Sequence, residues 1–139
     1  MFVPHTWFGL IGRNVRINRA GPDSVAGRLL GVGEDYLAVR TDEGVVYVAS
    51  WHVKSVTATD GASSNSSNVA SASAGKAPPA ATFLELLLRL RRSRIRVNRG
   101  PEKVEGLLLD VRGGQLLLAR GNEHVHVPLF HVKNVCVLR

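Results

Sequence analysis

Short runs in which apolar and polar residues alternate fill most of this chain, and they come round twice. Val15 and Ile17 stand against Asn14, Arg16 and Asn18, just as Ile95 and Val97 stand against Arg94, Arg96 and Asn98. A period of two belongs to a strand with one face in a core and the other in water. Each of these runs opens a series of five predicted strands. Long apolar stretches follow (Val25 to Val32, Val104 to Val111), then YLAVR and QLLLAR, VVYVAS and HVHVPL, and finally HVKSV and HVKNV. Pro128 has no N–H to give a ladder, so the fourth strand of the second series should finish there.

The punctuation repeats as faithfully as the strands. Gly21-Pro22 and Gly100-Pro101 lie 79 residues apart, as do Gly27 and Gly106, and His52-Val53-Lys54 and His131-Val132-Lys133. Upstream of the Gly-Pro pair the offset becomes 80, because Ala20 is an extra residue in the first copy. A self-match this long describes a duplicated unit. The Gly-Pro pair reverses the chain after the first strand, with proline presetting φ for the turn. Gly27 and Gly106 fall inside the long second strands, where glycine signals a bulge, a bend or a close backbone approach.

A helix should precede each series. Thr82 and Glu85 form a capping-box pair ahead of FLELLLRL, which predicts a helix from Phe83 to about Arg91. Its buried side would carry Phe83, Leu84, Leu87 and Leu88. In the first copy Thr6 can cap only a short turn, since Gly9 and Gly12 interrupt the apolar residues 1–12. Between the copies, ATDGASSNSSNVASASAGKAPPAA has almost nothing to bury and reads as a flexible tether spanning roughly 25–30 Å. The expected organisation is a first repeat at 1–57, a linker at 58–81 and a second repeat at 82–139.

A short helix and five bent strands in so few residues outline a small Sm-like or SH3-like barrel. The fold class is thus mainly β, two tandem barrels each preceded by a short helix. Such a unit buries a marginal core alone. The copies should therefore pair edge to edge or face to face as a pseudo-dimer, leaving open edges for other chains.

Composition narrows the partners. Of 139 residues 45% are hydrophobic, yet no stretch reaches the roughly 18 apolar residues of a membrane span, so membrane insertion is not expected. MFVPHTWFGLIG carries neither a basic leader nor a small-residue cleavage site, so synthesis in a cytoplasm is the expectation. The net charge of +7 is uneven: residues 81–139 hold eleven Lys/Arg against five acids, whereas residues 1–60 balance. Arg92, Arg94 and Arg96 would line one strand face able to track phosphates, which makes RNA the alternative partner. No aromatic lies between Phe83 and Phe130 to stack a base, which leaves a solvated or acidic-partner-facing strand as the plainer expectation.

Candidate chemistry is sparse. His124 and His126 share a strand face with His131 near in sequence, but Val45 and Tyr47 replace them in the first copy, so no duplicated metal site is read. His52 and His131 would each hydrogen-bond the turn before the last strand. No nucleophile, base and orienting group occur in a recognised pattern, so neither an enzyme nor a cofactor is expected. Cys136, the one cysteine, excludes an internal disulfide and points to the opposite side from Val135 and Val137, suiting it to burial.

GPDSVAGRLLGVGEDYLAVRTDEGVVYVASWHVKSV, with GPEKVEGLLLD and HVKNV in the second copy, resembles the repeat of bacterial spore coat protein B and related endospore coat proteins. In the second copy Gly114-Gln115 stands where the resemblance has Asp35-Tyr36. The resemblance implies a structural protein, made in the mother cell and laid on the spore surface through contacts with itself and other coat proteins.

Overall fold

The computed structural model describes residues 3–58 and 80–138. Its first half holds a 3-10 helix (His5–Leu10) and strands β1 (Asn14–Ile17), β2 (Val25–Val32), β3 (Tyr36–Thr41), β4 (Gly44–Ala49) and β5 (Val56–Ala58). The second holds α1 (Phe83–Arg89), β6 (Arg94–Val97), β7 (Val104–Arg112), β8 (Gln115–Arg120), β9 (Glu123–Pro128) and β10 (Asn134–Val137). Single 3-10 turns, Ser50–His52 and Leu129–His131, precede the last strand of each half.

All ten strands belong to one antiparallel sheet in the order β5-β1-β2-β3-β4-β10-β6-β7-β8-β9. The sheet is not closed, which corrects the expectation of two closed barrels. Neither β4 with β5 nor β9 with β10 forms a ladder within its own repeat. Instead β10 pairs with β6 on one side and with β4 of the first repeat on the other.

The long second strands bend where the sequence demanded it, though not at the residues that announced it. Register slips between Leu29 and Gly31 and again between Leu108 and Asp110, one bulge in each repeat. Gly27 and Gly106 serve close approach: a Cβ on Gly106 would stand 2.6 Å from the Ala119 carbonyl oxygen, and one on Gly27 would collide with that of Arg40.

Other expectations shift by a residue or a face. Thr82 caps α1 as anticipated, its hydroxyl accepting from Glu85 N–H at 3.1 Å. The buried side is Phe83, Leu86 and Leu87, while Leu84 is 45% exposed, because the stripe follows the i, i+3, i+4 spacing from Phe83. His52 and His131 lie in the 3-10 turns, so the last strands begin later than read. The segment 58–81 falls outside the described residues except at its ends. There Ala58 completes β5, and Ala80 is buried beneath the Tyr36 hydroxyl, which donates to its carbonyl.

Two hydrophobic cores result, and each borrows from the other repeat. Val15, Ile17, Val25, Leu29, Val46 and Val48 pack together with Cys136 of β10. The second core, built on Phe83, Leu86, Ile95, Leu108 and Leu118, takes in Tyr36 and Ala49 of the first repeat.

Candidate functional site

The place where the repeats meet is assembled largely from the duplicated residues. Asn134, Val135 and Cys136 face Val48, Tyr47 and Val46. Ala49 N–H donates to the Lys133 carbonyl at 3.0 Å, so Ala49/Lys133 is a hydrogen-bonded pair and Val46/Cys136, three positions along, is not. Cys136 is buried, and burial pushes its thiol pKa up. That fits packing and not reactivity, since the thiolate is the nucleophile.

Around this ladder stand rings, ions and turns. Trp51 sets its edge against Phe83 and Phe130, with centroids 5.5 and 5.2 Å away. His52 Nε2 lies 2.8 Å from the Phe130 carbonyl, so this histidine reaches across to the other repeat and not to its own turn. Lys133 Nζ meets Asp23 Oδ2 at 2.9 Å. Arg96 and Arg99 converge on Glu43 Oε1 at 2.7 and 3.2 Å, and their hydrogen bonds, Arg96 first, hold the Glu43 carboxyl below its usual pKa. Pro22 of one Gly-Pro turn abuts Gly100 of the other, where a Cβ would lie 2.9 Å from the proline ring. Asp35 Oδ1 accepts from Phe83 N–H at 2.7 Å, and the Tyr36 ring packs against Tyr47 and Phe83.

Asn18 and Asn98 do more than occupy a polar strand face. Both have left-handed backbones, φ +62° and +67°. Asn18 Oδ1 accepts from Lys54 N–H at 2.6 Å, and its Nδ2 donates to the His52 carbonyl at 3.2 Å. Asn98 repeats both bonds with Lys133 and His131, at 2.7 and 3.2 Å. Each asparagine thus ties the His-Val-Lys segment to the end of the first strand and sets the approach of β5 or β10. The signal was present: an asparagine ahead of each Gly-Pro turn is a residue type suited to a left-handed position.

The structure therefore gathers Pro22, His52, Gly100 and Lys133 at the joint. Gly21 takes φ +89° in its turn, while Gly27 and Gly106 stay within their strands. The counterparts Pro101 and Lys54 are exposed, and His131, also exposed, follows Phe130 in its 3-10 turn. Arg94 and Arg96 share β6, but Arg96 is held by Glu43 and Arg92 precedes the strand with φ +74°. His126 Nδ1 lies 3.2 Å from Gln115 Nε2, and among the described residues no three His, Cys, Asp or Glu side chains converge as metal ligands.

Two strand sides are left over. Among the described residues β5 pairs only with β1, and β9 only with β8. Beside β9 runs a groove of about 430 Å³ lined by Val97, Glu102, Val104, Val125 and Val127. Among the described residues no helix is long and apolar enough to cross a membrane.

Comparison with known proteins places the repeat. The chain is 31% identical over 134 residues to spore coat protein B of Bacillus subtilis, an alignment covering 94% of this chain. It spans about a third (34%) of that relative's length. No protein-family model matches the sequence.

Proposed function

Taking as premise that this chain is of a spore coat protein B-like family, we propose that it is a non-enzymatic building component of a bacterial spore coat. In this reading it is made in the mother cell, laid onto the spore surface, and works by self-association and by contacts with other coat proteins. Each repeat acts as a bent, Sm-like five-stranded module, and the two are joined through their edges.

One observation carries the reading beyond the likeness to a coat protein. A single sheet, extended across the two repeats by edge pairing, ends on two strands with unpaired outer sides among the described residues. Unpaired N–H and C=O groups along an edge are a template for another strand.

The test is placement. A fluorescent fusion of the full chain, produced in sporulating Bacillus subtilis lacking its own spore coat protein B, should ring the developing spore and stay with the coat through nuclease and moderate salt. Signal spread through the mother cell, or released by nuclease, would refute the proposal.

A further inference from the structure

The joint between the repeats has two sides, and each free end of the molecule carries one of them. The first repeat offers β4 and receives β10. The second repeat's counterpart of β4 is β9, and the first repeat's counterpart of β10 is β5. Resting on the assembly reading above, we propose that one copy adds its β5 edge to the β9 edge of the next, head to tail, repeating the internal joint between molecules.

The internal joint supplies the register. Moving it along by 79 residues puts Ser55 opposite Val127, Val56 opposite His126 and Thr57 opposite Val125 of the neighbour. The groove beside β9 is the empty form of the space that Cys136 fills in the first repeat. There Val25, Val46 and Val48 are 1%, 0% and 2% exposed, whereas their counterparts Val104, Val125 and Val127 are only half-buried. Thr57, close to cysteine in size, is the side chain that the register brings into that groove.

The surroundings match by the same translation. Lys133 with Asp23 becomes Lys54 with Glu102, both exposed and of opposite charge. Pro22 against Gly100 becomes Pro101 against Gly21 of the neighbour. Trp51 on Phe130 becomes Phe130 on Trp51 of the neighbour, which gives an occupant to a phenyl ring now 69% exposed. Because the two edges differ, the contact is heterologous, and its products are closed rings or open chains.

Cysteine crosslinking in the full chain tests the register. Val125/Thr57 corresponds to the non-hydrogen-bonded pair Val46/Cys136, a position whose Cα separation of about 4.5 Å accepts a disulfide. The double variant Thr57→Cys/Val125→Cys, oxidised with glutathione disulfide, should give a ladder of covalent oligomers or one closed species. Thr57→Cys or Val125→Cys alone should give neither. A double variant that stays monomeric, or Val125→Cys dimerising alone as a symmetric β9–β9 pair would, overturns the proposal. A second readout needs no new thiol: Lys54→Glu or Glu102→Lys should weaken association roughly two- to fivefold, and the two together should restore it. Failure of restoration counts against the register. Oligomers in light scattering without a ladder would sink strand addition and leave the assembly reading standing. A ladder with no placement on the spore would do the reverse.

Discussion

Replacing Asn18 by glycine and, separately, by alanine separates two things that the asparagine does. Its side chain accepts from Lys54 N–H and donates to the His52 carbonyl, and it is 7% exposed, so water replaces those partners poorly. Losing both bonds costs about 2–3 kcal/mol at about 1–1.5 each. Its backbone sits at φ +62°, which glycine adopts freely and alanine only with about 1 kcal/mol of strain. Asn18→Gly should therefore destabilise by about 2–3 kcal/mol, and Asn18→Ala by about 1 kcal/mol more. Urea unfolding followed by tryptophan fluorescence, at a protein concentration low enough to avoid association, measures both. Equal losses for the two variants would refute the backbone argument. Losses below about 0.5 kcal/mol, the range of an ordinary surface change, would refute the clamp.

Other consequences can be measured on the same protein. Val46→Cys should form an intramolecular disulfide with the native Cys136 on oxidation, seen as a mass loss of about two hydrogens and protection from alkylation; a freely alkylated pair would contradict the joint's register. Gly27→Ala drives a methyl into the Arg40 carbonyl and should destabilise by about 1–3 kcal/mol in urea, and a neutral result would contradict the close approach. Burial raises the Tyr36 phenol from its ordinary 10 to about 12. The folded state then holds a proton that the unfolded state has released, so stability present below pH 10 should fall as pH rises toward 12. The slope is about 1.4 kcal/mol per pH unit from this residue, and Tyr36→Phe should flatten it. Pro128→Ala restores the donor that Ala49 supplies at the internal joint and should tighten self-association roughly two- to tenfold in sedimentation; no change would argue that β9 is not the edge in use.

How much of this was legible depended on whether the cause was local. Strand periods, the Thr82 cap, the end of β9 at Pro128 and the burial of Cys136 all follow from neighbouring residues, and the duplication announced them twice. The open sheet was not legible, because which edges pair is decided by contacts more than 80 residues apart. Val46 meeting Cys136 leaves no mark in either segment. The His52 hydrogen bond is hidden from the sequence for the same reason: its partner, the Phe130 carbonyl, lies 78 positions away and not in the adjoining turn. The likeness to the coat repeat was readable because it needs only residue order, and the comparison bears it out. The Arg92, Arg94 and Arg96 face was a one-dimensional inference that took no account of Glu43, which holds Arg96 from the other repeat.

Duplicated units that pair through unlike edges need some difference between the internal and the external joint, or single repeats and pairs would exchange freely. The differences here point one way. At the internal joint Asp35 and Tyr36 anchor the start of α1, but Gly114-Gln115 replaces them at the outer edge. Glu43, which holds two arginines, has Asn122 as its counterpart, and Ala49, a backbone donor, has Pro128. A proline on an edge strand blunts pairing without abolishing it, since its carbonyl still accepts. Both repeats belong to one chain, so the internal joint forms within a molecule and only the outer one depends on meeting another copy. The inner contact should therefore be permanent and the outer one reversible. Under the head-to-tail proposal the two-repeat unit, and not the single repeat, would be the piece that adds to an assembly.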